Sequence, residues 1–208
     1  DADGLWADYR IEDVCTPEAL ARNRRLVIEF YNKRRREMLA ARPNAAHLAI
    51  AGLEADFDVE VITQNVDDLH ERAGSANVLH LHGELMKIRS IQHPDCVEAL
   101  DIDHLETTPA TRGKNGDLMR PHIVFFEEPV PNIEPAVKLV EKADIFVVVG
   151  TSLAVYPAAS LINFVRPGVP IYYIDPRPAS TAGIPGVHVM AEKASTGLRH
   201  LAEILRAE

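Results

Sequence analysis

Two nearly unbroken apolar runs in the last third of the chain constrain its fold most. Residues 144–150 read Asp-Ile-Phe-Val-Val-Val-Gly, and residues 170–175 read Pro-Ile-Tyr-Tyr-Ile-Asp. Short apolar runs without alternation are typical of strands that are buried on both faces of a parallel sheet. A helical stretch over residues 157–165 separates the two runs, and a third strand is predicted at 187–190. This order of strands and helices predicts an α/β fold with a parallel sheet.

Charge, hydrophobic pattern and cysteine content argue against several classes of protein. The chain has 22 basic and 31 acidic residues, which gives a formal charge of −9, and this balance argues against general binding to nucleic acid. No stretch approaches the roughly 18 apolar residues of a membrane span, and no secretory leader is visible. The cysteines, Cys15 and Cys96, are too few for a disulfide framework and favour a reducing compartment.

The first quarter of the chain has the pattern of helices. Thr16 is a candidate N-cap for one long helix that runs to about Ala41, and Asn44 is a candidate cap for the next helix. Asn132 has the same signature before a later helix. Over residues 87–117 the hydrophobic periodicity fades, so we expect a small irregular lobe there.

Polar side chains follow four of the predicted strands. Ligands of open parallel sheets bind beyond the carboxyl ends of the strands, so amide, carboxylate and imidazole groups at these ends indicate a nucleotide site with one candidate base. Each group alone also fits a structural role, as a helix cap, a satisfied histidine or a tight turn. The prediction of a nucleotide site rests on the joint occurrence of these groups after four strands. They lie in the stretches 63–70 (Thr-Gln-Asn-Val-Asp-Asp-Leu-His), 82–84 (His-Gly-Glu), 150–152 (Gly-Thr-Ser) and 175–177 (Asp-Pro-Arg).

These stretches resemble the sirtuin family of NAD-dependent protein-lysine deacylases. The resemblance is carried by residues 63–70, Ala73-Gly74-Ser75, His82-Gly83-Glu84-Leu85, Arg120-Pro121 and 150–159. It implies a single catalytic domain over residues 1–208, with a Rossmann-like parallel sheet, helices on both faces and a small irregular lobe. In that lobe it places a helical insertion over 16–55 and a degenerate equivalent of the zinc lobe over 87–120.

The resemblance also implies roles for individual residues. His82 matches the residue that takes a proton from the NAD ribose hydroxyl after the acyl oxygen attacks C1′, a task that suits an imidazole because its ordinary pKa lies near working pH. The residues implied to bind NAD are Gln64, Asn65 and Asp67 at the nicotinamide and its ribose, Gly150, Thr151 and Ser152 at the phosphates and adenosine ribose, Asp175 at the adenosine ribose, and Lys193 and Ala194 at the adenine through their backbone.

Two segments match substrate-binding parts of the family. Tyr31 and Arg34, three residues apart on one helix face, resemble the Tyr-x-x-Arg pair of sirtuins that prefer acidic acyl groups such as succinyl-lysine, because a guanidinium and a phenol can hold a carboxylate. A solvated basic helix is the alternative, since two further arginines follow. The strand edge expected to hold an acyl-lysine protein or peptide by backbone pairing comprises Ile123, Val124, Phe125 and Phe126.

The chain departs from the family pattern in four places, one of which is Asp175, which stands where the family commonly has asparagine. Most sirtuins hold a zinc ion with two cysteine pairs, whereas residues 87–120 contain Cys96 alone, with His93 and His104 near it. We therefore expect no zinc, because a tetrahedral site needs four good ligands. The strand and Gly-rich loop with which sirtuins begin would precede residue 1, and we expect such a segment in the full protein. Glu127 stands where the family usually has glycine.

The sequence thus predicts an NAD-dependent protein deacylase, either a deacetylase or a desuccinylase, that releases nicotinamide and 2′-O-acyl-ADP-ribose. One alternative is an NAD glycohydrolase or ADP-ribosyl transferase, and another is a non-catalytic module that binds NAD or ADP-ribose. His82 argues against a pure binding module, because such a module has no use for a base. A scaffold fits least well, because the polar groups cluster at strand ends.

Overall fold

The chain is divided into two compact units. The structure, a computed structural model, describes residues 9–151, 153, 155–181 and 183–207. Within them, unit 1 contains residues 9–42, 65–68 and 82–130, and unit 2 contains residues 43–64, 69–81 and the described part of 131–207. Of the segments that the sequence assigns to a small lobe, residues 16–42 and 87–120 lie in unit 1, and residues 43–55 lie in unit 2.

Helices occupy the first part of unit 1. They are α1 (Ile11–Val14), α2 (Pro17–Arg22) and α3 (Arg24–Ala40). The prediction of one long helix was wrong, because Asn23 interrupts it with a non-helical backbone (φ −142°, ψ 69°) and accepts the N–H of Leu26 with its side chain. Asn23 therefore ends α2 and caps α3. Thr16 caps α2 as predicted, with its hydroxyl oxygen 3.0 Å from the nitrogen of Ala19.

An antiparallel sheet forms the rest of unit 1. Its strands are β3 (Gly83–Ser90), β4 (Val97–Ala99) and β5 (Met119–Ile123), in the order β4-β3-β5. The region predicted to be irregular thus contains a strand pair. Side chains from α3, β3 and the end of β5 meet in one core, which includes Val27, Phe30, Tyr31, Leu85, Ile123 and Phe125.

Parallel strands form the framework of unit 2 and confirm the predicted α/β class. Strands β6 (Phe146–Val149), β7 (Ile171–Ile174) and β8 (Val187–Met190) pair in that order, and β1 (Val61–Thr63) pairs with β2 (Val78–His80). The helices of this unit are α4 (Ala45–Gly52), α5 (Leu69–Ala73), α6 (Ile133–Val140), α7 (Ala194–Ala207) and two 3₁₀ helices (Leu53–Ala55 and Ala158–Phe164).

Helix caps in unit 2 agree with the sequence only in part. Asn44 caps α4 as predicted, because its side-chain oxygen accepts the backbone N–H groups of Ala46 and His47. Asn132 precedes α6 but does not cap it, since its side-chain nitrogen donates to the carbonyl oxygen of His80, 2.7 Å away. Within the described residues, every helix is too short or too polar to cross a membrane.

Candidate active site

His82 lies at a close approach of two backbones in unit 1. It directly precedes Gly83, which has φ +87° and which could not carry a side chain, because a Cβ atom there would lie 2.0 Å from the carbonyl oxygen of His122. The carbonyl oxygen of His82 accepts the N–H of Val124 at 2.9 Å. The backbone of His82 is therefore fixed directly before β3 and is bonded to the segment that follows Ile123, while its side chain is half-buried.

The expected peptide-binding edge is a strand only at its beginning. Strand β5 ends at Ile123, and the next backbone N–H groups are bonded within unit 1. Val124 donates to His82, Phe125 donates to the carboxylate of Glu128 at 2.8 Å, and Phe126 donates to the carbonyl of Cys15 at 3.0 Å. Phe125 is buried, whereas the Phe126 side chain is exposed. An extended edge over all four residues was thus not correct as a secondary-structure prediction.

Tyr31 and Arg34 both face the interior of unit 1. The Tyr31 hydroxyl donates to the sulfur of Cys15, 3.3 Å away, and its ring stacks on Phe125. Burial raises the pKa of Tyr31 well above its ordinary value, so the phenol keeps its proton. The side chain of Arg34 is only 7% exposed and pairs with the carboxylate of Glu37 at 3.0 Å. The alternative of a solvated basic helix is wrong for these two positions.

The next two residues along α3, Arg35 and Arg36, differ in their burial. Arg35 is fully buried and donates to the carbonyl oxygen of Leu85 at 2.7 Å and to the side chain of Asn32 at 2.9 Å. Burial lowers its pKa to about 10, so it remains charged at neutral pH. Arg36 is exposed and pairs with Glu106. Arg35 therefore ties α3 to β3.

The segment that carries Asn65 and Asp67 is attached to the same strand as His82. The N–H of Leu85 donates to the carbonyl of Val66 at 2.8 Å. This bond joins the middle of the segment to β3 three residues after His82. Asn65 is exposed and Asp67 is half-buried. Unit 1 thus brings three of the predicted site residues to one end of β3.

Unit 2 positions other predicted site residues at the carboxyl ends of its parallel strands. Gln64 follows β1, and its amide lies 3.4 Å from the hydroxyl of Thr151, which follows β6. Asp175 follows β7, and its carboxylate accepts the N–H of Arg177 at 2.7 Å. Lys193 and Ala194 lie at the beginning of α7. Ser152 lies outside the described residues.

Tyr173 is a positioning residue that the sequence did not identify. It is fully buried in β7. Its hydroxyl donates to the carbonyl of Thr151 at 2.8 Å and accepts the N–H of Ala179 at 3.0 Å. It therefore ties the loop after β6 to the loop after β7. The available signal was a tyrosine in an otherwise apolar buried strand, since its hydroxyl must find a polar partner.

The residues of unit 2 fit an NAD molecule. Gly150 has φ +61°, and among the described residues no heavy atom beyond its two chain neighbours lies within 4 Å of the place where a Cβ would stand, which favours close approach of a ligand to the backbone after β6. The hydroxyl of Thr151 and the carboxylate of Asp175 are the kinds of group that ribose hydroxyls need as partners.

The small-lobe residues do not fit a zinc ion. His93 is paired with Asp117, with 2.7 Å between its Nδ1 atom and the carboxylate, and Cys96 is exposed. His104 lies near Asp101 at 3.9 Å. Among the described residues of 87–120, no three His, Cys, Asp or Glu side chains bring their ligand atoms within 4.8 Å of one another. The absence of zinc from the protein stays a prediction.

Comparisons with known proteins agree with this arrangement. The profile of the Sir2 family matches residues 1–157. An NAD-dependent protein deacylase of Bacteroides thetaiotaomicron is 48% identical over 208 residues, covering 99% of this chain and 89% of the relative. A protein of the same name from Aggregatibacter actinomycetemcomitans is 57% identical over 176 residues, covering 85% and 83%.

Solved structures give the same result for the fold. The crystal structure of a Sir2 homolog–NAD complex superposes with a TM-score of 0.83 at 38% identity, covering 99% of this chain and 81% of the other. A Sir2 homologue in complex with ADP-ribose gives a TM-score of 0.85, also at 38% identity, covering 99% and 83%. The chain belongs to the Sir2 family, the sirtuins.

Proposed function

We propose that this protein is an NAD-dependent protein-lysine deacylase. The observation that carries the proposal is the place of His82, whose carbonyl oxygen accepts the N–H of Val124 at 2.9 Å. His82, whose side chain is half-buried, is thus bonded through its backbone to the segment that we propose as the substrate edge. The relatives named above are NAD-dependent protein deacylases at 48% and 57% identity. The reaction consumes NAD, the acyl-lysine and one water molecule, and its products are nicotinamide, 2′-O-acyl-ADP-ribose and free lysine.

Each group on the chain has a defined task in this reaction. NAD, when bound, supplies the ribose carbon that receives the acyl oxygen and loses nicotinamide. His82 takes the proton from a ribose hydroxyl, because a neutral imidazole is a suitable base near pH 7. Asn65, Asp67 and Gln64 hold the nicotinamide and its ribose, since amide and carboxylate groups match the donors and acceptors there.

The remaining NAD contacts come from the strand ends. Gly150, Thr151 and Ser152 meet the phosphates and the adenosine ribose, Asp175 meets the same ribose, and the backbone of Lys193 and Ala194 meets the adenine. The open backbone at Gly150 supports this assignment. Residues 123–126 hold the acyl-lysine peptide, and the exposed ring of Phe126 supports a contact there.

We further propose that acidic acyl groups such as succinyl are accepted at Tyr31 and Arg34. Both side chains are buried, and the phenol keeps its proton. Arg34 already binds a carboxylate, that of Glu37, at 3.0 Å, which supports a guanidinium able to take the carboxylate of a substrate.

Location, domain organisation and metal content follow as proposals. Cys15 and Cys96 are both free thiols, which supports a reducing compartment, the cytoplasm. The donor set around Cys96 and His93 supports a protein without zinc. We treat residues 1–208 as one catalytic domain.

The test is a product analysis of the purified full-length protein. It is incubated with NAD and with peptides that differ only in an acetyl or a succinyl group, and nicotinamide and free lysine are measured by mass spectrometry. A deacylase releases both in equal amounts and only with peptide. Nicotinamide without free lysine would indicate a glycohydrolase or transferase, and NAD binding without either product would indicate a binding module.

A further inference from the structure

The two groups that we propose for an acidic acyl group already have partners within unit 1. The Tyr31 hydroxyl donates to the sulfur of Cys15 at 3.3 Å, and the Arg34 guanidinium donates to the carboxylate of Glu37. A thiol sulfur is a weak hydrogen-bond acceptor, so a substrate carboxylate replaces it at little cost. A carboxylate on a guanidinium is a strong, charge-assisted partner. The contact between Arg34 and Glu37 is therefore the one that an incoming carboxylate must overcome.

Both carboxylate oxygens of Glu37 lie on one nitrogen of Arg34. The Nη2 atom is 3.0 Å from Oε1 and 3.0 Å from Oε2. The two residues are three positions apart on α3, and side chains at that spacing are neighbours on a helix surface. Because the contact is local to α3, it needs no substrate in order to form. It therefore exists before an acyl group arrives.

The two members of this pair differ in their freedom to move. The Arg34 side chain is only 7% exposed, and its guanidinium lies 5.1 Å from the centre of the Phe30 ring, which belongs to the core of unit 1. The Glu37 side chain is 48% exposed. Glu37 can thus turn into water, where a carboxylate is hydrated, while Arg34 stays in place.

The position of Glu37 in α3 does not itself favour a negative charge. Helix α3 ends at Ala40, so Glu37 lies in the last turn, where the helix dipole disfavours an anion. Its carbonyl oxygen accepts the N–H of Ala41, the C-cap residue. This end of the helix thus depends on the backbone of Glu37 and not on its carboxylate. We therefore expect a neutral side chain of the same length, glutamine, to leave α3 intact.

A second negative charge at Arg34 is disfavoured as long as Glu37 is there. Two carboxylates on one guanidinium would lie about 4–6 Å apart, a distance at which like charges repel appreciably. An acidic acyl group must therefore either displace Glu37 or tolerate its charge. A neutral acyl group such as acetyl meets neither cost, because it brings no charge to Arg34.

We propose that Glu37 is a specificity-determining residue that limits the preference of the protein for acidic acyl groups. It occupies Arg34 in the free protein and turns into water when a succinyl-type carboxylate binds. This inference rests on the proposed role of Tyr31 and Arg34, and it adds a side chain that regulates the same site. Its consequence is that removal of one negative charge should improve the reaction on acidic acyl groups alone, which a purely structural role for Glu37 would not do.

The test compares wild type and Glu37→Gln on peptides that differ only in the acyl group on lysine, which is succinyl, the uncharged amide of succinyl, or acetyl. Glu37→Gln should raise kcat/KM for the succinyl peptide about twofold to fivefold, the range for loss of one partly exposed charge interaction, mainly through a lower KM. The values for the amide and acetyl peptides should stay nearly unchanged. Glu29→Gln is the matched control, because Glu29 lies on the same helix, is 57% exposed and pairs with Arg25, and it should change none of these values.

A double-mutant cycle shows whether Glu37 acts through Arg34. In the Arg34→Met background, Glu37→Gln should no longer raise the succinyl value. Glu37→Asp is a second variant that keeps the charge but moves it one methylene away from Arg34, and it should give a smaller gain than Glu37→Gln. A thermal melt of each variant confirms that it is folded.

The results separate this inference from the proposed function. The role of Glu37 is overturned, with the proposed function left standing, if Glu37→Gln leaves the succinyl value unchanged or lowers it while Arg34→Met still reduces it. It is also overturned if the gain survives in the Arg34→Met background. A succinyl value that Arg34→Met does not reduce would refute the carboxylate role of Arg34 and this inference with it. No free lysine from any peptide would refute the deacylase and every claim about its acyl groups.

Discussion

At the scale of single residues, Glu127 carries backbone strain. It has φ +71°, a region that residues with a Cβ atom adopt at a cost. We expect Glu127→Gly to stabilise the protein by roughly 0.5–1 kcal/mol, because relief of this strain exceeds the extra entropy of an unfolded glycine. Urea unfolding measures the change. Glu141→Gly is the control, since Glu141 has φ −61° and the same substitution there should destabilise. Equal destabilisation by both would show that Glu127 is not strained.

The acyl preference also belongs to individual side chains. We expect Arg34→Met to lower kcat/KM for a succinyl-lysine peptide by about tenfold or more, because a charge-assisted hydrogen bond is lost, and to change the value for the acetyl peptide by less than about threefold. Arg36→Met is the matched control, because Arg36 is exposed and pairs with Glu106, and it should change neither value. A parallel loss on both peptides in Arg34→Met would refute the carboxylate role.

His122 should make the folded state sensitive to acid. Burial lowers its pKa from the ordinary 6.5, and the charge of Arg89 lowers it further. Below about pH 6.5 the unfolded chain therefore binds more protons than the folded one at this site, so the stability falls as the pH falls. We expect the melting temperature of His122→Gln to fall less between pH 7.5 and pH 5.5 than the melting temperature of the wild type.

A control separates this effect from general acid sensitivity. His104 is exposed and lies near Asp101, and His104→Gln should show the same loss of melting temperature as the wild type. If His122→Gln and the wild type lose equally, the buried histidine does not determine the acid response. The pKa values of Glu128 and Asp117 are also lowered, so part of the stability is lost at still lower pH in every variant.

At the scale of elements, Tyr173 fixes the loops after β6 and β7. Its hydroxyl bonds to Thr151 and to Ala179. We expect Tyr173→Phe to raise KM for NAD about fivefold to tenfold, the cost of one or two such bonds, with kcat nearly unchanged. Tyr172→Phe is the control, because the Tyr172 ring stacks on His188 and stacking survives the loss of the hydroxyl. A change in kcat alone would contradict this positioning role.

The sequence predicted helix caps and strands well where neighbouring residues determine them, and less well where a contact with a residue far along the chain determines them. Thr16 and Asn44 cap helices that begin beside them, so a pattern of a few residues was sufficient. Asn132 was misassigned because its partner, His80, lies 52 positions earlier in the chain. The break at Asn23 was missed because its neighbours all favour a helix. The parallel strands β6, β7 and β8 were found because burial leaves an apolar run in the sequence.

At the scale of the whole molecule, the sequence predicted which residues stand at strand ends but not how they are held. Gln64, Gly150 and Asp175 could be placed after β1, β6 and β7 by the rule for parallel sheets, and their use in binding NAD stays a prediction. Arg35 in the core and the tie made by Tyr173 depend on contacts between distant residues, such as Arg35 with Leu85 and Tyr173 with Thr151. No periodicity records such contacts.

The central claim is that His82 acts as the base in deacylation. The most direct measurement compares wild type and His82→Ala for two readouts in the same reaction, release of nicotinamide and formation of free lysine. We expect free-lysine formation to fall about 10²- to 10⁴-fold, the usual contribution of a positioned base, while NAD binding is retained and nicotinamide release falls less. Unchanged formation of free lysine by His82→Ala would contradict the account.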